Sequence, residues 1–434
     1  MNRMSPVSIG FKVTPVYRNY VLWILWLAGV LSFLDRQVFS VLLESIKADM
    51  RLTDTELGLI GGFAISVFYA TFGLILGNMS DRFNRRNMLA ACVTVWSVMT
   101  AVCGLATSFV TLFLARVGVG VGEAGGTPAS ASILADYFPP HRRSTAFAIL
   151  GMSIPSGVLI GFLGGGWVNE FFGWRAAFAA VGLPGVIVAG IIYFTLREPP
   201  RGYSENRKDF QSGPKFIETL KYYLSIKTYR HLTMAIALFS LGALGSGVWA
   251  PAFFQRVHGL SSGEAGTWLG LIYGLGGMAG ALFGGTVADY LVKKTGNVKW
   301  YFRMPAICLL GILPLAVFVY LSASPYPAFF VLILFVVLQH MPLGPANAMM
   351  QSLAGLRMRA TIAAIMGFLT SALPSGLGPL IVGMASDHFT PIYGNETLRY
   401  AILGTVVVAY GWSAIHYYLA SQTLAKDLAA AKDF

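Results

Sequence analysis

The chain has 434 residues, of which 56% are hydrophobic and only 12% charged, about half the charged share of an ordinary soluble domain. A soluble protein of this length has nowhere to hide so much apolar surface, so its solvent is lipid. The net charge of +12 does not point to nucleic acid, because the basic residues are scattered through short loops rather than gathered on one domain.

The polar start, Met1–Arg18, runs straight into a long apolar stretch. No cleavable signal peptide is evident, and the first span is expected to direct insertion. A helix needs about 20 apolar residues to cross the hydrocarbon core. By that measure twelve spans are predicted, at roughly 19–43, 57–79, 86–107, 109–137, 142–171, 175–196, 229–256, 265–291, 300–322, 327–354, 359–386 and 397–421. The runs are long and do not alternate polar with apolar, so they read as helices and not as barrel strands.

Span one carries Leu34-Asp35-Arg36-Gln37. Spans two and three are joined by Gly77-Asn-Met-Ser-Asp81-Arg82-Phe-Asn-Arg85-Arg86, a tight charged turn between two apolar runs. A fainter copy, Gly285-Thr-Val-Ala-Asp289-Tyr-Leu-Val-Lys293-Lys294, recurs at the end of span eight, again between two apolar runs. Pro128-Ala129 precedes Arg142 by the same distance as Pro345-Ala346 precedes Arg359, and Pro155-Ser156-Gly157 in span five is matched by Pro374-Ser375-Gly376 in span eleven. These matches imply a duplicated membrane protein, an architecture that belongs mainly to secondary transporters. Proline within a span frees a carbonyl and kinks the helix, which serves either a gate or simple packing.

The one long polar interruption, Arg197–Arg230, holds Pro199, Pro200, Gly202, Gly213 and Pro214. Its later part, Phe216-Ile-Glu-Thr-Leu-Lys-Tyr-Tyr-Leu, has helical spacing of apolar residues suited to a membrane surface. Three units follow: an N-terminal six-helix bundle over 1–197, a cytoplasmic linker over 198–228 with an amphipathic segment, and a C-terminal six-helix bundle with a short tail over 229–434. Lys and Arg fall in the N-terminus, in the joints after even-numbered spans and in this linker, while the opposite loops are nearly bare. Both termini are therefore expected in the cytoplasm, in a bacterial inner membrane. The sequon Asn395-Glu-Thr397 matters only in a eukaryotic secretory pathway. Cys92, Cys103 and Cys308 lie inside apolar runs without metal-ligand spacing and read as small apolar fillers.

Charges inside spans are the candidate site. A charge at the bilayer centre costs at least about 2.5–3.5 kcal/mol, yet Asp35, Arg36, Arg116 and Glu123 all sit within spans one and four. Arg116 and Glu123 are two helical turns apart and share a face, and Gly118, Gly120 and Gly122 thin the helix beside them. Two acids and two bases can neutralise one another. They read as a substrate and proton site facing a central cavity, with arginine offering its planar fork to phosphate or carboxylate, Glu123 as the proton carrier and Asp35 as a second candidate. An ionic clamp between spans one and four is the alternative, and both hold if the clamp opens during a cycle. The C-terminal half lacks such charges. Trp249, Phe253, Tyr273, Gln339, His340 and Phe368 are the candidates to line its side of the cavity.

The turn at Gly77–Arg86 resembles the signature loop of the major facilitator superfamily, with Asn84 in place of a usual glycine. Arg116–Pro128 continuing to Asp136-Tyr-Phe-Pro-Pro-His-Arg142-Arg143, together with Leu34–Gln37 and Phe172-Gly-Trp174-Arg175, resembles the Spinster branch. The resemblance implies an all-α integral membrane protein of twelve transmembrane helices in two pseudo-symmetric six-helix bundles, the major facilitator fold. It also implies an amphiphilic, lysophospholipid- or sphingoid-like substrate, with a small organic anion or a drug–proton antiport as alternatives. In such proteins the loop Asp meets span eleven and a basic residue meets an acid ending span four. Gly77, Asp81, Arg82, Arg85, Arg86, Asp136 and Asp289 are thus assigned to a cytoplasmic gate or latch. No HExxH, GxSxG or close His/Cys cluster suggests an enzyme. A monomer in the lipid bilayer is expected, with no nucleic-acid partner, metal or cofactor beyond a coupling proton.

Overall fold

The computed structural model describes residues 13–80, 82–203, 216–354 and 358–431. Those residues form helices and connecting turns, with no strand among them. Ten continuous helical stretches are long and apolar enough to cross a membrane. Two of them are double crossings. One, 140–195, reverses at Gly173, whose φ of +81° interrupts the helical backbone; the other reverses at the short turn Gly394–Glu396. Twelve crossings result. Large apolar side chains face outward, among them Phe194, Phe172, Leu282 and Phe330, as expected where the surrounding medium is hydrocarbon rather than water.

Span one is Pro15–Met50. Span two runs through Asp54–Gly58, a π-helical turn Leu59–Phe63, and Ala64–Ser80. Span three is Arg85–Cys103, and span four is Phe109–Ala124 plus Gly126–Tyr137. Span five is Pro140–Gly151 continued over 153–172, and span six covers 174–195. After the linker helix Phe216–Ser225 come span seven, Lys227–His258, and span eight, built from Ser262–Leu271, a second π-turn Ile272–Gly276, and Gly277–Thr295. Span nine is Trp300–Leu321, ten is Pro325–His340 plus Leu343–Ser352, eleven is Arg359–Tyr393, and twelve is Thr397–Ala431.

The duplication is written into the local structure. Spans two and eight both open on a capping box, Thr53 with Glu56 and Ser261 with Glu264. Each then carries one π-turn, a feature that tends to mark functional positions. Spans four and ten break at Gly125 and at Met341–Pro342. The reason is the same in both: Pro128 and Pro345 lack the N–H that would bond the carbonyl four residues back. Pro155 likewise breaks span five after Gly151, whereas Pro374 stays inside the continuous span eleven. The two charged joints also differ. The first becomes a turn at 82–84, capped by Asn84. In the second, Asp289 and Lys293 remain helical, because the helix runs to Thr295 and ends on Gly296 in the left-handed region.

The start of span one, the end of span twelve and the linker helix lie at one end of the bundle, and the hydrogen bonds joining described residues of the two halves gather at the opposite, far end. Spans five and eight touch there backbone to backbone: a Cβ on Gly166 would stand 2.3 Å from the Ser262 carbonyl oxygen. Gly166→Val is therefore expected to hold the far end apart. Spin labels at the exposed Thr107 and Ala323, one in each half's far-end loops, check this by a lengthened distance.

Candidate functional site

Adjacent residues on a helix point about 100° apart, so Asp35 and Arg36 serve different partners. The Arg36 guanidinium donates from Nε and Nη2 to Glu123 Oε2, at 2.9 and 2.5 Å, and lies over the Tyr69 and Phe33 rings at 5.0 and 5.7 Å. Its side chain is 34% exposed while that of Glu123 is fully enclosed. Glu123 Oε1 is buried without a hydrogen-bond partner among the described residues. The second pair is sealed: Arg116 Nη1 donates to Asp35 Oδ2 at 2.8 Å, Thr100 of span three donates to Oδ1 at 2.8 Å, and Phe39 lies 4.6 Å from the guanidinium carbon. The four charges thus resolve into one pair with access to a cavity and one without.

Local sequence explains this placement. Glu123 stands in the last turn before span four breaks at Gly125. Beside it, a Cβ on Gly122 would stand 2.6 Å from the Trp96 backbone nitrogen, so only glycine lets span three come this close.

Two cavities meet at the open pair. One of about 360 Å³ lies within the N-terminal half, lined by Glu123, Tyr69, Thr127, Leu25, Trp96 and Phe147. The other, about 280 Å³, lies between the halves and is lined by Arg36, Ser66, Phe239, Tyr273, Gln339 and His340. Phe33 and Ile154 line both, so the ion pair is part of the partition. Of the expected lining residues, Tyr273, Gln339 and His340 face the second cavity. Trp249 and Phe253 are fully buried instead: Trp249 Nε1 donates to the Pro379 carbonyl, and Phe253 packs on Phe254 and Tyr320. Phe368 is exposed and lines neither cavity. The His340 Nδ1–H donates to the Val336 carbonyl four residues back.

At the terminal end, Arg85 is almost wholly buried and donates to Asp136 at 2.5 Å and to Glu198 at 2.7 Å. The Arg86 backbone N–H donates to Glu198, and its guanidinium lies over Tyr193. The basic residue of the loop therefore does meet the acid ending span four, all within the N-terminal half. A Cβ on Gly77 would meet nothing within 4 Å, and the Arg82 backbone N–H closes the turn on the Met79 carbonyl. Asp289 accepts from the Tyr301 hydroxyl within the C-terminal half. Asp81 lies outside the described residues.

The far end holds a network that sequence reading passed over. Arg256 of span seven donates to Glu44 of span one and to both oxygens of Asp54 of span two. Lys47 and Ser386 also donate to Asp54. Asp387 of span eleven accepts from the Asp54 and Thr55 backbone N–H groups, at 3.0 and 2.7 Å, holding the start of span two. Charges near helix ends look like ordinary water-facing residues. The usable signal was that Glu44 and Lys47, charges of opposite sign, stand within the last two turns of the first apolar run, before the far-end loop.

Comparison with known proteins gives the same answer on fold. A family model described as Major Facilitator Superfamily matches residues 25–379. An "MFS-type efflux pump" of Mycolicibacterium smegmatis is 32% identical, with 93% of both chains covered. A sphingosine-1-phosphate transporter of Xenopus tropicalis is 25% identical over 84% of this chain and 73% of its own. The crystal structure of a bacterial homolog to the human lysosomal transporter Spinster, inward-facing and unoccupied, superposes with a TM-score of 0.86 at 30% identity, covering 96% of this chain and 99% of that one.

Proposed function

The chain belongs to the Major Facilitator Superfamily and has the fold of a Spinster-like membrane transporter, and from that premise we propose that it carries an amphiphilic organic anion by alternating access, coupled to a proton. The observation that carries this reading is the Arg36–Glu123 pair. Among the described residues Glu123 has one hydrogen-bonding partner, Arg36, which lines a cavity, whereas Arg116 is sealed against Asp35. A proton on Glu123 and an anion on Arg36 replace the same salt bridge. Each therefore favours the other's binding, a positive linkage that yields symport. The mainly apolar cavity beside Glu123 suits the tail of an amphiphile, and the relative that carries sphingosine-1-phosphate supports the same class.

With the terminal end, which carries the basic loops, taken as cytoplasmic in what we take to be a bacterial inner membrane, the closed far end is extracellular and the shape inward-facing. In that frame the group Gly77, Asp81, Arg82, Arg85, Arg86, Asp136 and Asp289 regulates the cytoplasmic edge, with Asp35–Arg116 as the fixed clamp under the site. The 32% identical efflux pump favours a second reading, in which a cationic drug displaces the proton from Glu123 and the exchange is antiport.

The test is native mass spectrometry of the purified carrier, followed by proteoliposome flux at two pH values. An anionic amphiphile should co-purify, bind with proton uptake, and lose at least about tenfold in flux in Arg36→Gln. Release of protons on binding, or a co-purifying cation, overturns anion symport in favour of antiport.

A further inference from the structure

Among the described residues the C-terminal half contains no ion pair facing the cavity, yet it is not an apolar wall. Five neutral polar side chains converge there from five different spans: Ser246 of seven, Tyr273 of eight, Tyr320 of nine, Gln339 of ten and Tyr410 of twelve. Gln339 donates its amide N–H to the Tyr410 hydroxyl at 2.5 Å, and Ser246 bonds back to the Gly242 carbonyl. Among the described residues the buried hydroxyls of Tyr273 and Tyr320 make no hydrogen bond of good geometry, although Ser246 stands beside Tyr320. Leaving a phenol O–H unpaired in a low-dielectric interior is costly, and two such groups close together are more than packing requires. Tyr273 and Gln339 also line the cavity that Arg36 enters from the other half.

We propose that this tyrosine cluster is a second, neutral subsite that recognises a hydroxyl of the transported anion. Two phenol donors match the two lone pairs of one hydroxyl oxygen, and the carbonyl oxygen of Gln339 is the acceptor for its hydrogen. The substrate is then an anion held at Arg36 that carries a hydroxyl further along its chain. That chemistry is found both in hydroxylated dicarboxylates and in lysolipid phosphates. The inference rests on the anion reading of Arg36, and the experiment separates the two.

Four probes are titrated against the purified full-length carrier, with ligand-induced thermal shift as the readout. Galactarate and adipate share length and charge but differ in hydroxyls. Oleoyl lysophosphatidate and its 2-deoxy analogue form the lipid pair. The wild type should prefer the hydroxylated member of one pair by at least about tenfold, and the pair that responds identifies the source. Tyr273→Phe and Tyr320→Phe should erase that preference and leave binding of the deoxy member intact. Without ligand both variants should be as stable as wild type or more so, since each loses only an unpaired hydroxyl. Equal binding of both members, or a preference that survives both substitutions, overturns the subsite while leaving Arg36 as the anion site. Binding of none of the four overturns both.

Discussion

Replacing Glu123 by glutamine will uncouple transport from the proton gradient. Glutamine keeps the shape of a protonated glutamic acid and removes the charge that competes for Arg36. In the wild type, anion binding should strengthen as pH falls, because protonation releases Arg36 from its partner. In Glu123→Gln it should be strong at all pH values, with affinity at pH 8 raised roughly tenfold over wild type. Concentrative uptake driven by a pH gradient should disappear, while counterflow of substrate against substrate persists. The fold should survive, since Arg36 is one-third open to a cavity and can rehydrate. Binding at pH 6 and 8, with the two flux modes side by side, decides the matter. Wild-type pH dependence in this variant would remove Glu123 as the proton carrier.

The second large effect is expected at the far end. Arg256 binds Glu44 and Asp54 across the boundary between the halves, with side-chain exposures of 11%, 22% and 1%. Those bonds exist only while the far end is closed, so their loss raises the energy of that state alone. Truncating one member of such a hydrogen-bonded charge pair costs about 2–5 kcal/mol. Lys47 still reaches Asp54 at 2.5 Å after the change, which argues for the lower end. Arg256→Met should therefore shift the equilibrium toward an open far end by roughly thirtyfold. Labels at Thr107 and Ala323 read the shift directly, and the three native cysteines are buried away from the reagent. An unchanged distance distribution would mean that backbone contacts such as Gly166 with Ser262, and not the charges, hold the halves together.

The two predictions differ in how visible their residues were beforehand. Glu123 and Arg36 stand out in a bare sequence because charge in the middle of an apolar run is expensive wherever it points. Arg256, Glu44 and Asp54 do not, because a charge at a helix end costs nothing until another element covers it. The tyrosine cluster is quieter still: each phenol is an unremarkable aromatic in its own span, and only convergence of five spans makes the unpaired hydroxyls meaningful.

Apolar run length, loop charge and repeated motifs determined the lipid solvent, the twelve crossings and the duplication, since each depends on local chain properties, while the family was legible only through resemblance of the Gly77–Arg86 turn and the span-four run to known motifs. The sequence also marked the prolines that break spans four, five and ten, but not that Pro374 would leave span eleven continuous. Tertiary structure alone decided who pairs with whom. Arg36 took Glu123 and left Asp35 to Arg116, Trp249 and Phe253 turned into the core, and Asp387 settled on the start of span two. Those outcomes depend on the rotation of one helix against another, which only the packing of all twelve sets.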